Sequence, residues 1–257
     1  MKATKTKQTV GVITCMMLLA SCTTHYQVTD ISRSRELIDS RYDTPTDQQA
    51  DQFMKPYKHV VDSMMGPVMG QVARFMAASR PESELSNLLA DILVWAGEKY
   101  GEKPDFGLYN MGGIRAALAK GDVTYGDVLE VAPFENKICF CTLTGEKLME
   151  LFRQVASTGG EAVSKGVRLV VNSQHELVSA RLHGKEIDPK ASYRIATIDY
   201  VAQGNDKMLA FKDKTAVNSP QEVSNNLRFI IMDFFREQTA KGIVVDSQIE
   251  GRITIEN

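Results

Sequence analysis

Apolar residues change their spacing several times along this chain, and that alternation restricts its fold more than any other feature. Leu85, Leu88, Leu89, Ile92, Leu93 and Ala96 recur at helical intervals. A helix therefore starts near Ser83 or Glu84, and Gly101 with Pro104 marks its end. Residues 105–110 read as a short strand leading into Met111-Gly112-Gly113. Residues 114–120 read as a helical turn or short helix, 124–129 as another, and 136–143 as a strand of alternating character. Leu148, Leu151, Phe152 and Val155 set a helix over Gly145–Ser157, opened by Thr144 and broken by Thr158-Gly159-Gly160. Strands follow at 167–171 and 177–182, joined through Asn172-Ser173-Gln174, then at 193–198, and residues 223–239 form the last long helix. These elements intermix without a repeating strand-helix-strand rhythm, which predicts an α+β (mixed α/β) fold, a mixed sheet packed by helices, over a doubly wound one.

The N-terminus carries Lys2, Lys5 and Lys7, an apolar run over residues 10–20, and Leu19-Ala20-Ser21-Cys22, the pattern of a lipoprotein signal peptide. The run is too short to remain across a bilayer. Cleavage before Cys22 exposes its thiol and amine for acylation, and each buried acyl methylene contributes about 0.8 kcal/mol of membrane affinity. The expected product is a lipid-anchored protein of the bacterial cell envelope, periplasm-facing because no acidic run follows Cys22. The expected organisation is a signal over residues 1–21, a tether over 22–45, a linker helix over 46–70 and one domain over 71–257. A brief alternation at 26–31 suggests one strand in the tether. Thr46 and Asp47 look like a helix start, followed by Phe53, Tyr57, Val60, Val61 and Met64 at helical spacing, with Pro56 expected to kink the run.

Cys15 leaves with the signal, so Cys139 and Cys141 are the thiols left to the fold. Two apart on a strand they share a face, but a bridge across one residue is strained, and two buried thiols are expected. The four histidines are scattered without short ligand spacing, which argues against a metal site built by this chain. Net charge is −2 and becomes more negative once the signal lysines are lost, and no basic stripe occurs, so nucleic acid is not an expected partner.

Three motifs carry possible chemistry. Asn110-Met111-Gly112-Gly113-Ile114-Arg115 places paired glycines between a strand and a turn, so the backbone can approach a ligand while Arg115 offers a cationic fork to phosphate. A tight turn with a surface arginine fits equally well. Phe134 and Asn136 put a ring and an amide where a loop meets a strand, a pair suited to stacking a base and bonding its edge, although a lone phenylalanine is more often core. In Asp199-Tyr200-Val201-Ala202-Gln203-Gly204-Asn205-Asp206 one loop presents a ring and a carboxylate, yet Gly204-Asn205-Asp206 is also ordinary turn chemistry.

Taken together, the order and spacing of these motifs resemble the C-terminal, nucleotide-recognition domain of 5′-nucleotidases. The resemblance runs from about Asp47 through Pro56-Tyr57-Lys58 and Glu82-Ser83 to Arg194-Ile195-Ala196-Thr197 and Asp206, and fades after Phe211. It implies that Arg115 contacts the nucleotide phosphate, that Phe134 and Tyr200 sandwich the base, and that Asn110 and Asn136 bond the nucleoside. It also implies that Asp206 holds the ribose hydroxyls and that Gly159 lines the base pocket. Ser79 stands where the family carries a phosphate-binding arginine, leaving Arg80 or Arg74 to substitute. The usual Gly-Gly-Asp-Gly-Tyr string has become Gly204-Asn205-Asp206-Lys207-Met208.

The family's catalysis depends on a preceding metallophosphoesterase domain whose Asp, His and Asn side chains hold two metal ions. No Gly-Asn-His string occurs here. The resemblance thus implies the nucleotide-binding half of a hydrolase, inactive alone, with two divalent metals in a separate metallophosphatase chain. The alternative is a lipoprotein that binds nucleotides or nucleosides without chemistry.

Overall fold

The computed structural model describes residues 26–42 and 47–256. The expected signal peptide, the lipidation site Cys22 and the helix-start residue Thr46 lie outside the described residues. The chain divides into one unit ending at Asp51 and a second beginning at Gln52. In the first, Ser40–Tyr42 forms a single 3-10 turn and every described residue is exposed. The strand expected at 26–31 does not form, because Tyr26, Val28 and Ile31 have no neighbouring strand to pair with among the described residues.

Helix α1 covers Gln48–Met65. The Asp47 carboxylate caps it, accepting from the backbone N–H of Gln49 at 2.9 Å and of Ala50 at 3.1 Å. Pro56 lies inside the helix, which continues through it rather than ending there. Phe53, Tyr57, Val60, Val61 and Met64 are all more than half exposed.

The second unit continues with β1 (Val68–Val72), α2 (Glu84–Trp95), β2 (Phe106–Tyr109), β3 (Gly121–Thr124), α3 (Tyr125–Val131) and β4 (Ile138–Thr144). Then come α4 (Gly145–Ser157), β5 (Ala162–Val163), β6 (Val167–Asn172), β7 (Leu177–Leu182), β8 (Lys185–Glu186) and β9 (Ser192–Ile198). The last elements are α5 (Asp199–Ala202), β10 (Thr215–Asn218), α6 (Leu227–Ala240) and β11 (Ile253–Glu256). The main sheet has the order β10-β4-β9-β2-β5 and mixes directions, since β4 pairs antiparallel and β2 parallel with β9. A four-stranded sheet, β11-β6-β7-β8, and the β1-β3 pair stand beside it. Helix α2 packs on β2, β5 and β9, α6 packs on β1, and α4 touches strands of both larger sheets. This is the expected mixed α/β architecture.

Local chemistry explains the helix boundaries. Ser83 and Thr124 each form a capping box with the residue three positions on, and the Thr144 hydroxyl accepts from the Lys147 N–H. Two expectations are corrected. Residues 114–120 form no helix, because Leu118 pairs with Met76 through backbone bonds in both directions at 2.9 Å. The last helix begins at Leu227 rather than near Val223, because Val223–Asn225 is a separate 3-10 turn and Asn226 has extended backbone. Strands β1, β3, β5, β8, β10 and β11 were not among the expected elements.

Cys139 and Cys141 are free, buried thiols on β4. The Cys139 thiol beside it raises the Cys141 pKa, an effect burial reinforces, while the Cys141 thiol lowers that of Cys139.

Candidate functional site

The site gathers where β2, the loop before β4 and helix α5 leave the main sheet. Asn110 directly follows β2 and opens the 3-10 turn Met111–Gly113. Its side chain is almost wholly buried, and its Nδ2 donates to Asp206 Oδ2 at 2.6 Å. Its Oδ1 is buried without a hydrogen-bond partner, on the side of Gly113. Gly113 is required here, since a Cβ would lie 2.8 Å from that same Oδ1. The Glu161 carboxylate, 2% exposed, fixes the turn by accepting from the Met111 N–H and from Arg80.

Phe134 and Asn136 sit between α3 and β4. Arg228 donates to the Pro133 carbonyl at 3.1 Å, and the Leu227 N–H donates to the Asn136 carbonyl at 2.8 Å, so the start of α6 holds this loop. Asp199 joins it to α5, because its carboxylate accepts from the N–H of Lys137 and of Tyr200. Tyr200 thereby lines the same cavity as Phe134 and Asn136. Its hydroxyl donates to Asp206 Oδ1 at 3.0 Å, a bond that raises the tyrosine pKa. Asp206 has φ of 53°, a left-handed conformation that aspartate tolerates better than most residues.

Asn110, Gly112, Phe134, Asn136, Tyr200 and Asp206 together line a cavity of about 230 Å³. Phe134 is 46% and Tyr200 38% exposed. Two aromatic rings left in water beside one cavity are not core residues, and they offer faces to a flat ligand. A second, open cavity of about 490 Å³ adjoins it, sharing Gly112 and Asp206 and adding Arg80, Ser157, Thr158, Glu161 and Lys207. A cleft of about 540 Å³ elsewhere, beside Trp95 and α6, is larger, but Asp233 and Glu237 in it already pair with Lys99 and Lys241.

Two of the expected residues stand outside the smaller cavity. Arg115 is exposed, its Nη1 lies 3.4 Å from the Gly112 carbonyl, and it lines neither cavity. Gly159 sits beside the larger one, facing Arg80 and His175. Glu161 is not among the residues expected from the sequence, because its partners lie fifty and eighty-one residues away. Among the described residues no group of three or more His, Cys, Asp or Glu side chains comes together to hold a metal ion.

Residues 65–213 match the family model of the 5′-nucleotidase C-terminal domain. The trifunctional nucleotide phosphoesterase protein YfkN of Bacillus subtilis is 28% identical over 231 residues, covering 82% of this chain and 15% of that protein. Protein UshA of Yersinia enterocolitica is 30% identical over 167 residues, covering 63% of this chain and 28% of that protein. A 5′-nucleotidase precursor from Thermus thermophilus superposes with a TM-score of 0.71 at 25% identity, over 83% of this chain and 44% of that one. The chain spans less than half the length of each of these relatives. The match over more than half of its residues makes this chain a member of the 5′-nucleotidase C-terminal domain family.

Proposed function

We propose that this chain is the nucleotide-binding half of a 5′-nucleotidase-type hydrolase of nucleotide catabolism, completed by a separate metallophosphatase chain that holds two divalent metals. The observation that carries the reading is the pair of exposed rings, Phe134 and Tyr200, at one cavity whose floor holds Asn110 and Asp206. In this reading the base stacks between the rings, Asn110 and Asn136 bond the nucleoside, and Asp206 accepts from the ribose hydroxyls. Arg115 swings from the Gly112 carbonyl to the phosphate, and the Gly159 backbone borders the ligand.

The remaining expectations belong to the same proposal. Residues 1–21 are a signal, 22–45 a tether, 46–70 a linker and 71–257 the domain, with a lipid anchor at Cys22 that holds the protein in the cell envelope facing the periplasm. The exposed apolar residues of α1, Phe53, Tyr57, Val60, Val61 and Met64, are the surface on which the metallophosphatase docks.

Calorimetry with AMP, together with affinity purification of the mature chain from its native envelope, tests the proposal. Binding of AMP and recovery of a metallophosphatase support it. Stoichiometric binding with no such partner points instead to a stand-alone binding lipoprotein, and absence of binding contradicts both.

A further inference from the structure

The cation that Ser79 no longer provides has a different source in this chain. Arg74 is engaged with Asp246, through Nε at 2.6 Å and Nη2 at 2.8 Å. Arg80 donates its Nε to the Gly160 carbonyl and its Nη2 to the buried Glu161 carboxylate, so its guanidinium braces the glycine turn. Arg115 lines neither cavity and reaches the phosphate only by swinging from the Gly112 carbonyl, so a cation already at the larger cavity is a separate one. Lys207 lines the larger cavity, is exposed, and takes part in no ion pair or side-chain hydrogen bond among the described residues.

Its backbone adds an independent argument. Lys207 has φ of 67°, directly after Asp206 at 53°. Glycine adopts this conformation freely and a residue with a side chain does not, and such strain persists mainly where function requires the side chain. The string Gly204-Asn205-Asp206-Lys207 carries lysine where the family string carries glycine. Asp206, which lines the same cavity, forms no ion pair with Lys207, since its two oxygens accept from Tyr200 and Asn110.

We propose that Lys207 binds the ligand's phosphate in the larger cavity and sets the preference of this chain for nucleotide over nucleoside. The two cavities share Gly112 and Asp206, so a ligand whose base lies between the rings and whose ribose meets Asp206 carries its phosphate toward Lys207. A flexible ammonium acts there as a point charge for phosphate. This inference rests on the nucleotide reading above.

The test is calorimetry of AMP and adenosine on the wild-type chain, Lys207→Gly and Lys207→Arg. Glycine suits the backbone at this position, so Lys207→Gly retains the fold, checked by thermal unfolding. The ratio of AMP to adenosine affinity is expected to fall roughly three- to tenfold in Lys207→Gly and to return in Lys207→Arg, as for a charge-assisted bond at an exposed site. The wild-type ratio is also expected to shrink as salt is raised. A wild-type ratio near one, or the same ratio in Lys207→Gly, overturns the role of Lys207 while adenosine binding leaves the ring pocket standing. Failure of the wild-type chain to bind either compound overturns both readings.

Discussion

The hydroxyl of Tyr200 donates to Asp206 while its ring borders the cavity. Tyr200→Phe keeps the ring and removes one bond from Asp206, so AMP binding should weaken by about 0.5–1.5 kcal/mol. Tyr200→Ala and Phe134→Ala each remove a stacking face and should cost roughly 1–3 kcal/mol. Calorimetry of the three variants checks the order, and equal losses in Tyr200→Phe and Tyr200→Ala would show that the ring does not stack. Asn110, Phe134, Asn136, Tyr200 and Asp206, singled out beside turns and given their roles by the family resemblance, line one cavity. Glu161 was not legible in the sequence, since a buried acid acquires meaning only from partners that folding brings to it. Lys207 was visible as a departure from the family string, but its value depends on the backbone angle and on the commitments of Arg74 and Arg80.

The turn Met111–Gly113 sets the floor of the cavity, and it has no space for a side chain at Gly113, where a Cβ would meet the Tyr109 hydroxyl as well as Asn110. Gly113→Ala should therefore displace the Asn110 amide and lower AMP affinity at least tenfold, an effect on the order of 1.4 kcal/mol, while Gly112→Ala, whose Cβ meets nothing closer than 3.7 Å, should be milder. Helix α3 leads toward Phe134, and its capping box ties Thr124 to the Asp127 carboxylate at 2.6 Å. Thr124→Ala should cost about 1 kcal/mol and lower the melting temperature by about 2–4 °C in a chain of this size. Helices α2 and α4 were legible because a strong apolar period coincides with a capping residue. Strands β1, β10 and β11 were not, since each is short and β10 is largely exposed, so no alternation marks it. Residues 114–120 were misread as helical for a related reason, because the pairing of Leu118 with Met76 is a long-range bond that local spacing does not encode.

Across the whole domain, Glu102 and Arg194 fasten the turn after α2 to β9 and β10. The Arg194 guanidinium donates to both Glu102 oxygens at 2.6 and 2.8 Å, and Asn218 adds a third bond at 2.8 Å. Arg194 holds the Glu102 carboxyl below its ordinary value of 4.5. A carboxyl depressed in the folded state contributes stability that is present above the unfolded value and lost as pH falls through the folded one. The urea midpoint of the wild-type chain should therefore drop below about pH 4.5, and Glu102→Gln should flatten that part of the profile while lowering stability at neutral pH. The mixed α/β class and the family were legible before the fold, because three motifs in fixed order constrain a chain more than any one of them. The most direct test of the nucleotide reading is a crystal structure of the mature chain grown with AMP. The base is predicted between Phe134 and Tyr200, with the ribose at Asp206 and the phosphate toward Lys207. AMP bound elsewhere, or rings left empty at saturating AMP, would contradict it.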